Sequence, residues 1–208
     1  MRTAILAIAA WASIGQAAAD SGEQRVAPPV WEFALTAYPT TVRGGDSYTS
    51  AIATADRGPL HLEARVDYEA VGARSAFVGW TFSGGDSVAW EITPLLGGAW
   101  GDLQAFVPGL EASVSRGRFD FYLEGEYVRD SNARDDSYLY AWTELGFTPL
   151  EWLRLGAVAQ RTKAYGGERE IQRGPFLQLT WGSATIGGFW FNPGSDDQVF
   201  VASIGVAF

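Results

Sequence analysis

Phe200-Val201-Ala202-Ser203-Ile204-Gly205-Val206-Ala207-Phe208 is the stretch that decides the fold of this chain. Phe200, Ala202, Ile204, Val206 and Phe208 are apolar, and Val201, Ser203, Gly205 and Ala207 between them are small. A β-strand sends successive side chains to opposite faces, so a period of two predicts a strand with one bulky apolar face and one small-residue face. The strand ends on an aromatic ring.

Working back toward the amino terminus, the same alternation returns. In Leu60 to Ala70 one face reads Leu60, Leu62, Ala64, Val66, Tyr68, Ala70, and the other His61, Glu63, Arg65, Asp67, Glu69. In Phe119 to Val128, Phe119, Phe121, Leu123, Gly125 and Tyr127 oppose Asp120, Tyr122, Glu124, Glu126 and Val128. In Trp152 to Thr162, Leu153, Leu155, Ala157 and Ala159 oppose Arg154, Gly156, Gln160 and Thr162. Further strands are predicted near 30–39, 47–55, 74–83, 87–96, 108–115, 136–147, 171–181, 184–192 and 198–208. The total is about twelve, or ten without the Ala/Ser/Thr-rich 47–55 and the Gly187-Gly188 segment.

A terminal strand whose apolar face is spaced by two back from a final aromatic resembles the C-terminal assembly signal of Gram-negative outer-membrane β-barrels. Phe200, Ile204, Val206 and Phe208 carry the match. The resemblance is to a class, not to one protein. It implies an all-β chain forming a single transmembrane antiparallel up-and-down β-barrel in the bacterial outer membrane. It also implies contact with outer-membrane lipid and insertion by a barrel-assembly machinery. Strands of about ten residues are the length that a tilted strand needs to cross a bilayer.

The connectors form a pattern of their own. Those near 56–59, 84–86, 116–117, 148–150 and 182–183 are short; those near 40–46, 97–107, 129–135, 163–170 and 193–197 are mostly longer. Alternation of tight turns with longer loops is the arrangement of outer-membrane barrels, and the short connector near 71–73 breaks it. Trp31, Trp80, Trp90, Trp100, Trp142, Trp152, Trp181 and Trp190 lie mostly toward strand ends, as interfacial girdles do.

Residues 1–19 read as a cleaved secretory signal peptide: Arg2, an apolar core from Ala4 to Ile14, then Ala17-Ala18-Ala19 before Asp20. Residues 20–29 form a short periplasmic lead-in, and 30–208 one barrel domain. The chain has no Cys, one His and one Met, which removes disulfides and leaves little for metal or haem ligation. No cofactor is implied. A formal net charge of −9 argues against nucleic acid as a partner.

Function turns on the inward faces. Glu63, Arg65, Asp67, Glu69, Glu111, Asp120, Glu124, Glu126, Glu144, Arg154 and Arg161 are assigned to the inward parity. Charges lining a water path set selectivity, whereas charges in a filled lumen pair across strands. Glu144 and Arg154 flank the turn at Thr148-Pro149-Leu150 and are candidate cross-strand neighbours. The first expectation is a narrow passive channel for small polar or cationic solutes. The second is a structural or surface-interaction barrel with a plugged lumen. A lipid-modifying enzyme is the weakest, because His61 sits beside Glu63 on an inward face near a short turn, and no catalytic constellation is formed. The segment 94–109, rich in Gly with Leu103, Phe106 and Val107, reads as a loop folded into the mouth or resting on the lipid surface.

Overall fold

The computed structural model describes residues 28–164 and 169–208. The signal segment 1–19 and most of the lead-in 20–29 lie outside the described residues. The strands are β1 (Glu32–Val42), β2 (Tyr48–Arg57), β3 (Leu60–Val66), β4 (Ala73–Trp80), β5 (Phe82–Gly84), β6 (Ala89–Gly101), β7 (Ala105–Arg116), β8 (Phe119–Asp130), β9 (Tyr138–Leu150), β10 (Leu153–Ala164), β11 (Arg169–Trp181), β12 (Ala184–Phe191) and β13 (Val199–Ala207).

β4 and the three-residue β5 both pair with β6, so they are one wall position interrupted at Thr81. Twelve wall positions result, each antiparallel to the next, and β1 closes on β13. At the closure the Phe33 N–H donates to the Phe208 carbonyl and the Phe208 N–H to the Phe33 carbonyl, both at 2.8 Å. The two rings stack with centroids 5.8 Å apart. Among the described residues closure leaves only the three-residue β5 paired on one side, so the wall meets the condition for strands to sit in hydrocarbon.

The outer surface is apolar around the whole circumference: Leu35, Leu62, Val78, Leu96, Leu110, Phe121, Leu145, Leu155, Leu177, Ile186 and Ile204 are all exposed. Phe200, Val206 and Phe208 lie on this outer face too. Trp31, Trp80, Trp90, Trp152 and Trp181 ring the end where β1 starts and β13 stops, and Trp100 and Trp190 lie toward the other. Trp142 is not part of a girdle. It is fully buried inside the barrel, where Phe189 and Phe191 meet its ring edge-on at 5.3 Å.

Three expectations are corrected by the backbone. The 94–109 segment is not a loop. β6 and β7 run through it, with Gly97 opposite Val107, Gly98 opposite Phe106 and Ala99 opposite Ala105, leaving only 102–104 as connector. The alternation is hidden there because both faces are apolar. Leu96, Trp100 and Phe106 point outward, while Leu95, Ala99, Ala105 and Val107 are buried inside against Phe77 and Val128.

The second correction lies after Val66, where β3 ends. Asp67 has φ 53° and Gly72 φ 81°, and the Gly72 N–H donates to Asp67 Oδ1 at 2.7 Å. The connector is therefore 67–72, not 71–73, long where the alternation requires it, and the break in the alternation moves to the three-residue connector 102–104. The turn at Asp67 reverses the parity, so Tyr68 is buried rather than outward. Third, Arg161 pairs with Ala141 and Ile171 and shares their outward face, while neighbouring Gln160 is buried.

Candidate functional site: a buried ionic hub in the lumen

β3 runs from the turn at 58–59 toward the opposite rim and sends His61, Glu63 and Arg65 inward, where all three are buried. β8 faces it across the interior with Glu124 and Glu126, and the 67–72 connector folds Glu69 back over the same space. Arg65 is where they meet. Its Nη1 donates to Glu126 Oε1 at 2.6 Å and lies 3.4 Å from both Glu69 Oε1 and Glu124 Oε1. Its Nε donates to Glu63 Oε1. The guanidinium also stacks over the rings of Phe77 at 4.3 Å and Tyr68 at 4.4 Å. Four carboxylates thus surround one guanidinium, and every member of the hub is at most 4% exposed.

Neutral donors complete the arrangement. The Tyr68 hydroxyl donates to Glu124, with its two oxygens at 2.9 and 3.0 Å, and the Ser75 hydroxyl donates to Glu69 at 2.6 Å. The Tyr138 hydroxyl donates to the Glu69 carbonyl at 2.7 Å, pinning the connector to β9. Toward the end where β1 starts and β13 stops, His61 continues the polar track, with Nδ1 2.7 Å from Asp56 and Nε2 3.4 Å from Glu63.

A second node stands on β8, β9, β10 and β11. Arg154 donates through Nη1 to Glu144 at 2.7 Å and to Gln178 at 2.8 Å, and through Nη2 to Asp120 at 2.6 Å. Its guanidinium lies over the Phe176 ring at 4.5 Å, and Trp142 Nε1 donates to the other Glu144 oxygen at 2.8 Å. Here two carboxylates share one guanidinium.

Glu63, Arg65, Glu69, Glu124 and Glu126 come together at the first node, and Asp120, Glu144 and Arg154 at the second. Asp67 joins neither: it is half-exposed and caps the connector that it begins. Sequence reasoning missed Tyr68, whose side chain completes the hub. The signal for it was local, since an Asp followed five residues later by a Gly is turn chemistry that ends a strand. The rest of the interior mixes apolar packing with neutral polar side chains, Thr40, Ser50, Thr54, Gln160, Gln172 and Ser203 among them. Tyr38, Ile52, Tyr140, Trp142, Phe176, Phe189, Phe191, Val199 and Val201 fill one side of the barrel. Phe77, Leu95, Val107 and Val128 fill part of the other.

No family model matches the chain, and no curated protein is similar to it in sequence. Solved structures do match. A structure described as KdgM porin in complex with disordered oligogalacturonate superposes with a TM-score of 0.65 at 9% identity, covering 84% of this chain and 99% of that one. A second KdgM porin structure gives 0.61 at 11% identity over the same shares. The fold is that of the KdgM barrel. OmpT, an outer membrane protein of Vibrio cholerae, covers 86% of this chain at 10% identity with a TM-score of only 0.38. At such identities it is the barrel that is shared, not the lumen.

Proposed function

We propose that the protein is a narrow outer-membrane channel for small cations and small polar solutes, constricted at the Arg65 hub. The observation that carries this reading is the imbalance of the hub: Glu63, Glu69, Glu124 and Glu126 around one guanidinium, Arg65, with His61 beside Glu63 as the one further basic group in contact. A plug that served only to fill the barrel has no use for surplus carboxylates, because each unpaired buried charge costs several kcal/mol and an apolar filling does not. The aromatic filling on the other side of the same barrel is such a solution. An acidic track from Asp56 through His61 and Glu63 to the hub raises the local concentration of cations along it.

The oligogalacturonate held by the KdgM porin is a polyanion, and a constriction with surplus carboxylates disfavours a polyanion. The shared fold supports a barrel of the same build, and the carboxylates of the hub support the opposite charge preference. A specific observation favours a second reading, that of a filled structural barrel. The hub and the aromatic cluster leave the interior side chains almost without exposure.

Planar-bilayer recording of the purified refolded chain under a salt gradient separates the two. The channel reading expects a small conductance whose reversal potential favours cations, more strongly at low salt where screening is weak. E124Q/E126Q should reduce that preference. Absence of any current from correctly folded protein overturns the channel and leaves the filled barrel.

A further inference from the structure

The outer wall carries a groove of about 520 Å³ where β8, β9, β10 and β11 run side by side. Phe121 and Leu145 wall it on one side, Ala157, Ala159 and Pro175 form its floor, and Arg173 stands at one end. Its origin is legible along β10, whose outward residues change from Leu153 and Leu155 to Ala157 and Ala159, and then to Arg161. Large side chains on β8 and β9 beside alanines on β10 leave a trough in the lipid-facing surface.

The register places Ala157 opposite Pro175, Ala159 opposite Arg173 and Arg161 opposite Ile171. Arg161 and Arg173 are therefore diagonal neighbours on one face, about 7–8 Å apart along the sheet. Among the described residues no carboxylate pairs with either guanidinium, and Arg161 Nε is buried without a hydrogen-bond partner. Two adjacent, uncompensated cations on a lipid-facing wall repel each other and call for an anion. Depth says which part of the membrane supplies it. The Arg173 carbonyl accepts from the N–H of Asn192 at 2.8 Å, and Asn192 is the first residue beyond β12. Arg173 thus lies past the level of Trp190, at headgroup depth, where an outward arginine costs little. The groove runs from there toward mid-membrane.

We propose that this groove is a binding site for one phosphate-bearing membrane lipid, its phosphate held between Arg161 and Arg173 and one acyl chain laid along Ala159, Ala157 and Pro175. The site fits a molecule in which an anionic head and an apolar chain are joined, because it offers the two complementary surfaces in that order and at those depths. Guanidinium groups are suited to phosphate, which they bind by paired, charge-assisted hydrogen bonds. The inference needs the outer wall to face lipid and is independent of whether the lumen conducts.

Native mass spectrometry of the full refolded chain, released from nonionic detergent, tests it. Phosphatidic acid is the probe; phosphatidylcholine, and diacylglycerol with inorganic phosphate, are the comparisons. Phosphatidic acid should be retained as a one-to-one adduct in preference to the others. R161Q/R173Q should weaken retention at least about tenfold, the effect of losing a single charge-assisted contact, since both guanidiniums are removed. A157F/A159F, which keeps both arginines and fills the trough, should weaken it as much; if that variant does not fold, by its heat-modified mobility on gels, A157L replaces it. Retention unchanged in either variant overturns the site. So does inorganic phosphate displacing the lipid at equal concentration, or a dimer of the chain in place of the lipid adduct.

Discussion

Replacing Arg65 by Met removes the guanidinium of the hub while keeping an unbranched stem of similar length over Tyr68 and Phe77. Four carboxylates then share a buried space with no cation: Glu126, formerly 2.6 Å from Nη1, Glu63 on Nε, and Glu69 and Glu124 at 3.4 Å. Taking one partner from a buried ion pair costs about 3–5 kcal/mol, because the charge left behind stays desolvated. The same change in a water-filled lumen costs about 1 kcal/mol or less, the value of a solvated pair. The two situations differ by more than the error of an unfolding measurement. Urea titration of the refolded barrel in micelles, followed by tryptophan emission and by heat-modified mobility, should therefore show R65M destabilised by about 3–5 kcal/mol. R65M/E126Q should recover part of this, with a coupling energy of about 0.5–3 kcal/mol, since residues in one network do not add. A loss below about 1 kcal/mol in R65M, with no coupling to E126Q, would refute the packed hub and place water around it.

Two further outcomes test the frame around the hub. Deleting Phe208 removes the Phe33 stack and the paired backbone bonds that close β1 on β13, so membrane assembly should fail while synthesis continues; normal barrel mobility in the deletion would count against the terminal strand as an assembly signal. Brominated lipid should quench the emission of the exposed tryptophans and spare that of Trp142, so the unquenched fraction should vanish in W142F; quenching of Trp142 would put it on the lipid face and break the β9 register.

The strands were legible because one face of each was bulky and apolar and the other was polar or small, a contrast that survives in any window of the sequence. The loop alternation was legible for the same reason, except at two places. At 94–109 the contrast vanished, because Leu95 and Val107 pack inside while Leu96 and Phe106 meet lipid, and two apolar faces look like no face at all. At Asp67 the period itself broke. One residue with positive φ ended β3, moved Tyr68 from the lipid side to the interior, and left Asp67 as a cap. Arg161 shows a different limit. Its parity follows that of Ala157 and Ala159, so it is a charge on an outward face, against the rule that charged side chains of a barrel face the lumen.

The hub itself could not be read from the sequence, since it is made by three pieces of chain that share no local pattern. β3 contributes Glu63 and Arg65 as alternate residues of one strand, which is ordinary spacing. β8 contributes Glu124 and Glu126 in the same way, from about sixty positions further on. Glu69 arrives only because the chain turns at Asp67 and the Tyr138 hydroxyl holds its backbone in place. Each piece satisfies the rule that polar residues face inward, and the rule says nothing about how many will converge on one guanidinium. Arg65 has five N–H donors and stacks between two rings, so it can bridge several carboxylates but can neutralise only one. Filling the interior for stability alone has an apolar solution, and Trp142 with Phe176, Phe189 and Phe191 is that solution on the other side of the same barrel. A local rule broken at one place, beside a place where it is kept, is the pattern that separates a working site from filling. On the channel proposed above, the surplus of negative charge around Arg65 is accounted for by the cations it would attract; on the filled-barrel reading it has only the neighbouring Tyr68, Ser75 and His61 to offset it.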